Sequence, residues 1–159
     1  MTNPINEADL EWTEYDQGSS RFRRKQLSES VGATDLGCSL YELPPGERSW
    51  PYHYHTANEE AIFVLEGEGT LRCERGAEPL AAGDFATFPA NEEGGHRIVN
   101  DSDEVLRYLL VSTMIEPDVT VYPEMDKIGV FVGSPPGGRG ERSVHGYYRL
   151  DDDVDYWEE

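Results

Sequence analysis

The chain has 159 residues, 37% of them apolar, with 32 acidic against 13 basic side chains and a formal net charge of −19. That length suits one domain with a real core. The charge argues against nucleic acid and anionic membrane as partners, because phosphate binding needs a basic patch.

The acids do not form a tail. They are spread along the chain at Glu7, Asp35, Glu59, Glu78, Glu92, Asp101 and Glu116, while only Lys25 and Lys127 are lysines. A uniformly acidic surface repels itself at low salt, and strong salt screens the repulsion. The composition therefore points to a salt-rich cytoplasm, as in halophilic archaea. The polar start MTNPINEADLEW has no signal-peptide pattern. Apolar runs such as AIFVL are too short to span a bilayer. Cys38 and Cys73 make no disulfide framework and are read as small buried hydrophobes. A cytoplasmic protein is expected.

In chain order, residues 1–20 read as an irregular extension, with a turn of helix near Glu7–Tyr15. Arg21–Leu27 alternates loosely as a first strand. Its cluster of Arg21, Arg23, Arg24 and Lys25 reads as a solvated strand edge charged against aggregation. Leu36–Leu43 is a strand that stops at Pro44-Pro45-Gly46. Trp50–His55 and Glu59–Leu65 follow, then a hairpin turn at Glu66–Gly69. Shorter strands are expected at Thr70–Glu74, Glu78–Leu80, Phe85–Phe88 and His96–Asn100. Val105–Ser112 is the most apolar of them, and Ile128–Val132 adds one more. Short strands bounded by Gly, Pro, Asn and Asp signal an all-β sandwich or barrel. Residues 21–115 form the barrel on this reading. Residues 116–159 form a C-terminal extension whose aromatic tail packs across the barrel or onto a second subunit.

Strand side chains alternate with period two, so His53 and His55 share a face. Trp50, Tyr52 and Tyr54 then turn to the other face, toward another sheet or a dimer partner. A carboxylate on the next strand, Glu60 or its neighbour Glu59, can reach the same point as the histidines. Nitrogen and oxygen donors without thiolate suit a divalent ion. His145, in the Gly/Pro-rich tail, reads as ordinary surface. Asn100 shares the His96 face, and one of Arg107 and Tyr108 must face inward.

The spacing itself carries a resemblance. Gly46, His53, His55, Glu60 and Gly67 form one motif, and Gly83, Pro89, His96 and Asn100 a second. With LPPGERSWPYHYH, FVLEGEG, GDFATFPA and GHRIVN around them, they resemble the two motifs of the cupin superfamily, of the small single-domain, conserved-barrel kind. The resemblance implies a double-stranded β-helix, or jelly-roll, barrel. It implies a divalent metal (Fe, Mn, Ni, Zn or Cu) held by His53, His55, Glu60 and His96, with Glu60 favoured over Glu59 by register. One departure is visible: Asn91 stands where the family has glycine, and four residues instead of two precede His96. Asn tolerates the left-handed conformation that such a turn asks for.

Function stays open among three readings: a metal-dependent enzyme of dioxygenase or isomerase type acting on a small polar metabolite, a non-catalytic binder of a sugar or organic acid, and a barrel without metal. A homodimer with a small-molecule ligand is expected, and no catalytic residue is assigned. For the acidic surface, the thermal unfolding midpoint should rise between low and molar KCl; a midpoint flat across that range would count against it.

Overall fold

The computed structural model describes residues 3–158. Thirteen strands dominate them: β1 Thr13–Gln17, β2 Ser20–Gln26, β3 Leu36–Leu43, β4 Tyr54–His55, β5 Glu60–Glu66, β6 Glu68–Cys73, β7 Gly76–Ala81, β8 Phe85–Phe88, β9 His96–Val99, β10 Leu106–Thr113, β11 Asp118–Tyr122, β12 Lys127–Val132 and β13 Val144–Arg149. One short helix, α1 Leu27–Ser30, follows β2. Among the described residues, no helix is long and apolar enough to cross a membrane.

The strands form three antiparallel sheets, in the orders β1-β2-β3-β10-β5-β8, β13-β12-β11-β4 and β7-β6-β9. Their inner faces enclose one core that includes Phe22, Tyr41, Leu43, Ile62, Val64, Ile98, Leu106 and Tyr108. Alternation builds it. On β5, Glu60, Ile62 and Val64 are buried while Ala61, Phe63 and Leu65 are not. Each such aliphatic side chain contributes about 1.5–3 kcal/mol by leaving water. On β10, Leu106 and Tyr108 turn inward, and Tyr108 stacks on Tyr41 at 5.2 Å. Arg107 points outward to Glu7, Glu42 and Glu66. The β5–β6 hairpin requires Gly67, whose φ is +82° and where a Cβ would collide with the Val105 carbonyl.

Several expectations change. The N-terminal extension is not all irregular: β1 pairs along its length with β2, and the helical turn shrinks to Glu7–Asp9. The basic cluster is therefore no solvated edge. Lys25 is buried against Glu7 at 2.7 Å, and Arg24 faces the barrel interior. The strand expected at Trp50–His55 is reduced to β4, because Pro51 and a bend at Tyr52 interrupt it. Asn91 is extended at φ −164°, not left-handed; its side chain instead caps the 3₁₀ turn Glu92–Gly94 by accepting from the Glu93 N–H. The longer loop before His96 is thus an ordered turn. The strands β11 and β13 were not anticipated; β11 pairs with β4, Thr120 opposite His55 and Val121 opposite Tyr54, and β12 and β13 continue that sheet. Beyond them, Tyr156 and Trp157 lie exposed. The two cysteines are free and half-buried.

Asn100 is fully buried at the turn after β9. Its amide donates to the carbonyls of Leu43 and Glu104, and its Oδ1 accepts from the N–H and hydroxyl of Ser102. Asn100→Ala should cost about 2–4 kcal/mol in urea unfolding, since it takes a donor from the carbonyl of fully buried Leu43 and the acceptor from the Ser102 N–H. A loss under about 1 kcal/mol would mean that water replaces the amide there.

Candidate metal centre

Two backbone features bring the motif residues together. His53 and His96 face each other across an antiparallel bridge, each N–H donating to the other's carbonyl, at 3.3 and 3.0 Å. Glu60 opens β5 between Phe88 of β8 and Ser112 of β10. The approach to it is held by Asn58, whose side chain donates to the Ile115 carbonyl and accepts from the Ile115 N–H. Glu60 is buried among the histidines, and Glu59 is exposed.

The donor atoms converge. Glu60 Oε2 lies 3.5 Å from His55 Nε2, 3.5 Å from His96 Nε2 and 4.0 Å from His53 Nε2. His53, Glu60 and His96 each present one donor atom within 4.8 Å of the others, an arrangement able to hold a metal ion. His55 approaches the same carboxylate oxygen from β4.

The other ring nitrogen is engaged in every case. His53 Nδ1 donates to the Pro51 carbonyl at 2.8 Å, and His96 Nδ1 to the Gly94 carbonyl at 2.9 Å. His55 Nδ1 donates to Asp118 Oδ2 at 2.6 Å, with Thr120 Oγ1 at 3.2 Å. A carbonyl can only accept, so Nδ1 carries the proton and the Nε2 lone pair is free. That is the tautomer a metal requires. Phe88 stacks flat on the His96 ring at 3.7 Å and fixes its plane.

For His53 and His96 the electrostatics agree with this arrangement. Burial, then the neighbouring His96 and His55, holds His53 well below the ordinary imidazole range. Burial also lowers His96, against the pull of Glu60. For His55 burial works in the same direction, but Asp118 and Glu60 outweigh it and raise its pKa. Burial opposes the Asp118 charge too, yet His55 and the Ala57 N–H hold that carboxyl below its usual value. Glu60 Oε2 is buried and has no hydrogen-bond partner. A carboxylate oxygen in that position is costly unless a cation satisfies it. Three imidazole nitrogens and one carboxylate therefore fit a divalent ion.

His53, His55 and Glu60 line a cavity of about 700 Å³, whose wall also includes Arg24, Trp50, Tyr122, Arg142, His145 and Tyr147. One of these departs from expectation. Trp50 is on the inner wall, its Nε1 donating to Tyr41 Oη at 3.2 Å, because face counting fails across the break at Pro51. His145 is exposed, as expected for surface, but it packs against Phe131 and also lines the cavity. Asp118 was missed altogether. The alternation of Val119 and Val121 with Asp118, Thr120 and Tyr122 was its available signal.

Residues 39–112 match the family described as Cupin domain. The fold is the cupin barrel. Among solved structures, a candidate sugar phosphate isomerase from Acidithiobacillus ferrooxidans is 28% identical, with a TM-score of 0.80 over 95% of this chain and 92% of that one. A sugar phosphate isomerase from a cupin superfamily, from Silicibacter pomeroyi, is 25% identical, also at 0.80, over 94% of each. A polyketide cyclase from Streptomyces resistomycificus shares the fold alone, at 23% identity and a TM-score of 0.63 over 71% of this chain and 80% of that one. No curated protein is matched in sequence. The first two likenesses run beyond the cupin domain into the N-terminal strand and β11–β13.

Asp118→Ala removes one partner of a buried pair and leaves the His55 Nδ1–H without its acceptor. In chelator-treated protein it should cost about 3 kcal/mol of stability in urea unfolding. A loss below about 1 kcal/mol would show that Thr120 or water substitutes.

Proposed function

We propose that the protein is a metal-dependent isomerase of a small phosphorylated sugar. The observation that carries this reading is the convergence of three Nε2 atoms on the unpartnered Glu60 Oε2, at the wall of a cavity large enough for a small metabolite. The substrate class is supported by the likeness, over nearly the whole chain, to two structures named for sugar phosphate isomerases.

His53, His55, Glu60 and His96 would hold the ion, which when bound supplies a Lewis acid for a sugar carbonyl or hydroxyl oxygen. Iron, manganese, nickel, zinc and copper all suit this donor set. Pro51, Gly94 and Asp118 keep the three rings oriented. Residues 134–142 form part of the cavity wall, and Arg142 ties their carbonyls at Ser134, Pro135 and Gly138, which fixes the loop in place.

Isomerisation moves a proton between adjacent carbons, so it needs a group that takes and returns one near neutral pH. The chain has 4 histidines. His145 is the one outside the donor group, and it lines the same cavity. We assign it this proton transfer. Tyr122, pushed upward by burial and then by Tyr147, stays protonated at neutral pH and serves only as a donor.

Protein purified without chelator should contain one transition-metal ion per chain by elemental analysis, and the His53→Ala/His96→Ala variant should contain none. With D-ribose 5-phosphate and related aldose phosphates in deuterated water, the wild type should incorporate deuterium next to the carbonyl. His145→Asn should lower kcat by about 100-fold with metal content unchanged. Metal-free wild type would remove the centre of the reading. Sugar phosphate binding without isotope exchange would leave a binding protein and overturn the enzymatic assignment.

A further inference from the structure

Arg24 lies on β2 with its side chain on the same face as the core residue Phe22, and it lines the cavity that contains His53 and Glu60. Its guanidinium carbon sits 5.5 Å from the centre of the Tyr15 ring and 6.0 Å from that of Trp50. Nη2 donates to Tyr15 Oη at 3.1 Å, and Nη1 reaches Tyr41 Oη only at 3.5 Å. Nε is buried with no partner. Among the described residues, no carboxylate lies within the 4.0 Å that defines an ion pair with it.

That isolation is unusual in a chain with 32 acidic residues. The other two arginines of the cavity wall are engaged: Arg139 pairs with Glu29 at 2.6 Å, and Arg142 donates to loop carbonyls. Arg24 is the lining arginine whose charge meets only neutral hydroxyls and aromatic faces. A half-buried guanidinium without an anion has donors to spare, and its planar fork matches an oxyanion in two-point contact. The aromatic rings hold the fork rigid, so little freedom is lost when an anion arrives.

We infer that Arg24 is the anion-binding residue of the cavity and holds the phosphoryl group of the ligand, while the sugar end reaches the histidine–glutamate group. What the sugar end does rests on the isomerase reading above; the anion site needs no metal and can be tested apart from it.

The test uses full-length protein treated with chelator, so that phosphate has no metal to bind. Inorganic phosphate is titrated calorimetrically into wild type, Arg24→Gln and Arg24→Lys, with thermal midpoints measured for each. The expected result is saturable phosphate binding by wild type, at least about tenfold weaker in Arg24→Gln and intermediate in Arg24→Lys, because the ammonium keeps the charge but not the fork. Wild type should also prefer D-ribose 5-phosphate to D-ribose, and Arg24→Gln should erase that preference. No saturable phosphate binding by wild type, or equal binding by both variants, would overturn the inference. Acetate binding through Arg24 with phosphate excluded would assign a carboxylate end instead and overturn the phosphoryl assignment. Should Arg24→Gln not fold, Arg24→Lys alone decides, by weakened or unchanged phosphate affinity. Phosphate binding through Arg24 without isomerisation would sink only the isomerase reading. Isomerisation indifferent to Arg24 would sink only this inference.

Discussion

Glu60 Oε2 is held away from water with no hydrogen-bond donor of its own, ringed by three imidazole Nε2 atoms. A charged oxygen in such a place cannot persist without a cation or a proton. The surrounding structure can be understood through that constraint. The β5 strand buries Glu60 at its first residue, the His53–His96 bridge brings two rings beside it, and β11 supplies the carboxylate that orients the third. The three Nδ1–H groups are each satisfied by a fixed acceptor, and each ring presents its Nε2 edge to Glu60. Electrostatics push the same way: His53 and His96 are kept neutral, the form that donates a lone pair.

The segments outside the cupin domain are integral to this arrangement. Asp118 comes from β11, and residues 24–38 and 134–147 supply much of the cavity wall. The first strand contributes Tyr15, which stacks on Phe22 at 4.8 Å and steadies Arg24. A barrel cut back to residues 39–112 would keep His53, His55, Glu60 and His96 in sequence. It would lose the orienting carboxylate and most of what makes the cavity a cavity. The likeness to the two sugar phosphate isomerase structures includes these segments, whereas the likeness to the polyketide cyclase covers less of the chain.

Face counting succeeded where a strand was continuous and failed where it was not. On β5 it separated Glu60 from Glu59 correctly, because seven residues run without a break. At Trp50 it failed, because Pro51 and the following bend reset the alternation and turned the indole inward. Arg24 was misread for a related reason. A basic cluster beside an assumed irregular N-terminus looks like an edge, but β1 covers that edge and makes β2 an interior strand. The choice between Arg107 and Tyr108 was open from parity alone, and the pairing of β10 with β3 and β5 resolved it in favour of the tyrosine.

The amino-acid sequence by itself determined the all-β class, the barrel strands between residues 36 and 112 and the identity of the His and Glu residues that meet. These follow from local rules: turn residues that break the chain, period-two alternation, and the spacing of the His, Glu and Gly residues in the two motifs. Only the tertiary structure decided that Asp118 supports His55 from 63 positions away. It also decided that Arg24 and His145 share one cavity with His53 and His55, and that the acceptors of Pro51 and Gly94 leave Nε2 free. These depend on which strands pair across long stretches of chain, and that pairing is set by the summed burial of all the strands together, which no single stretch records.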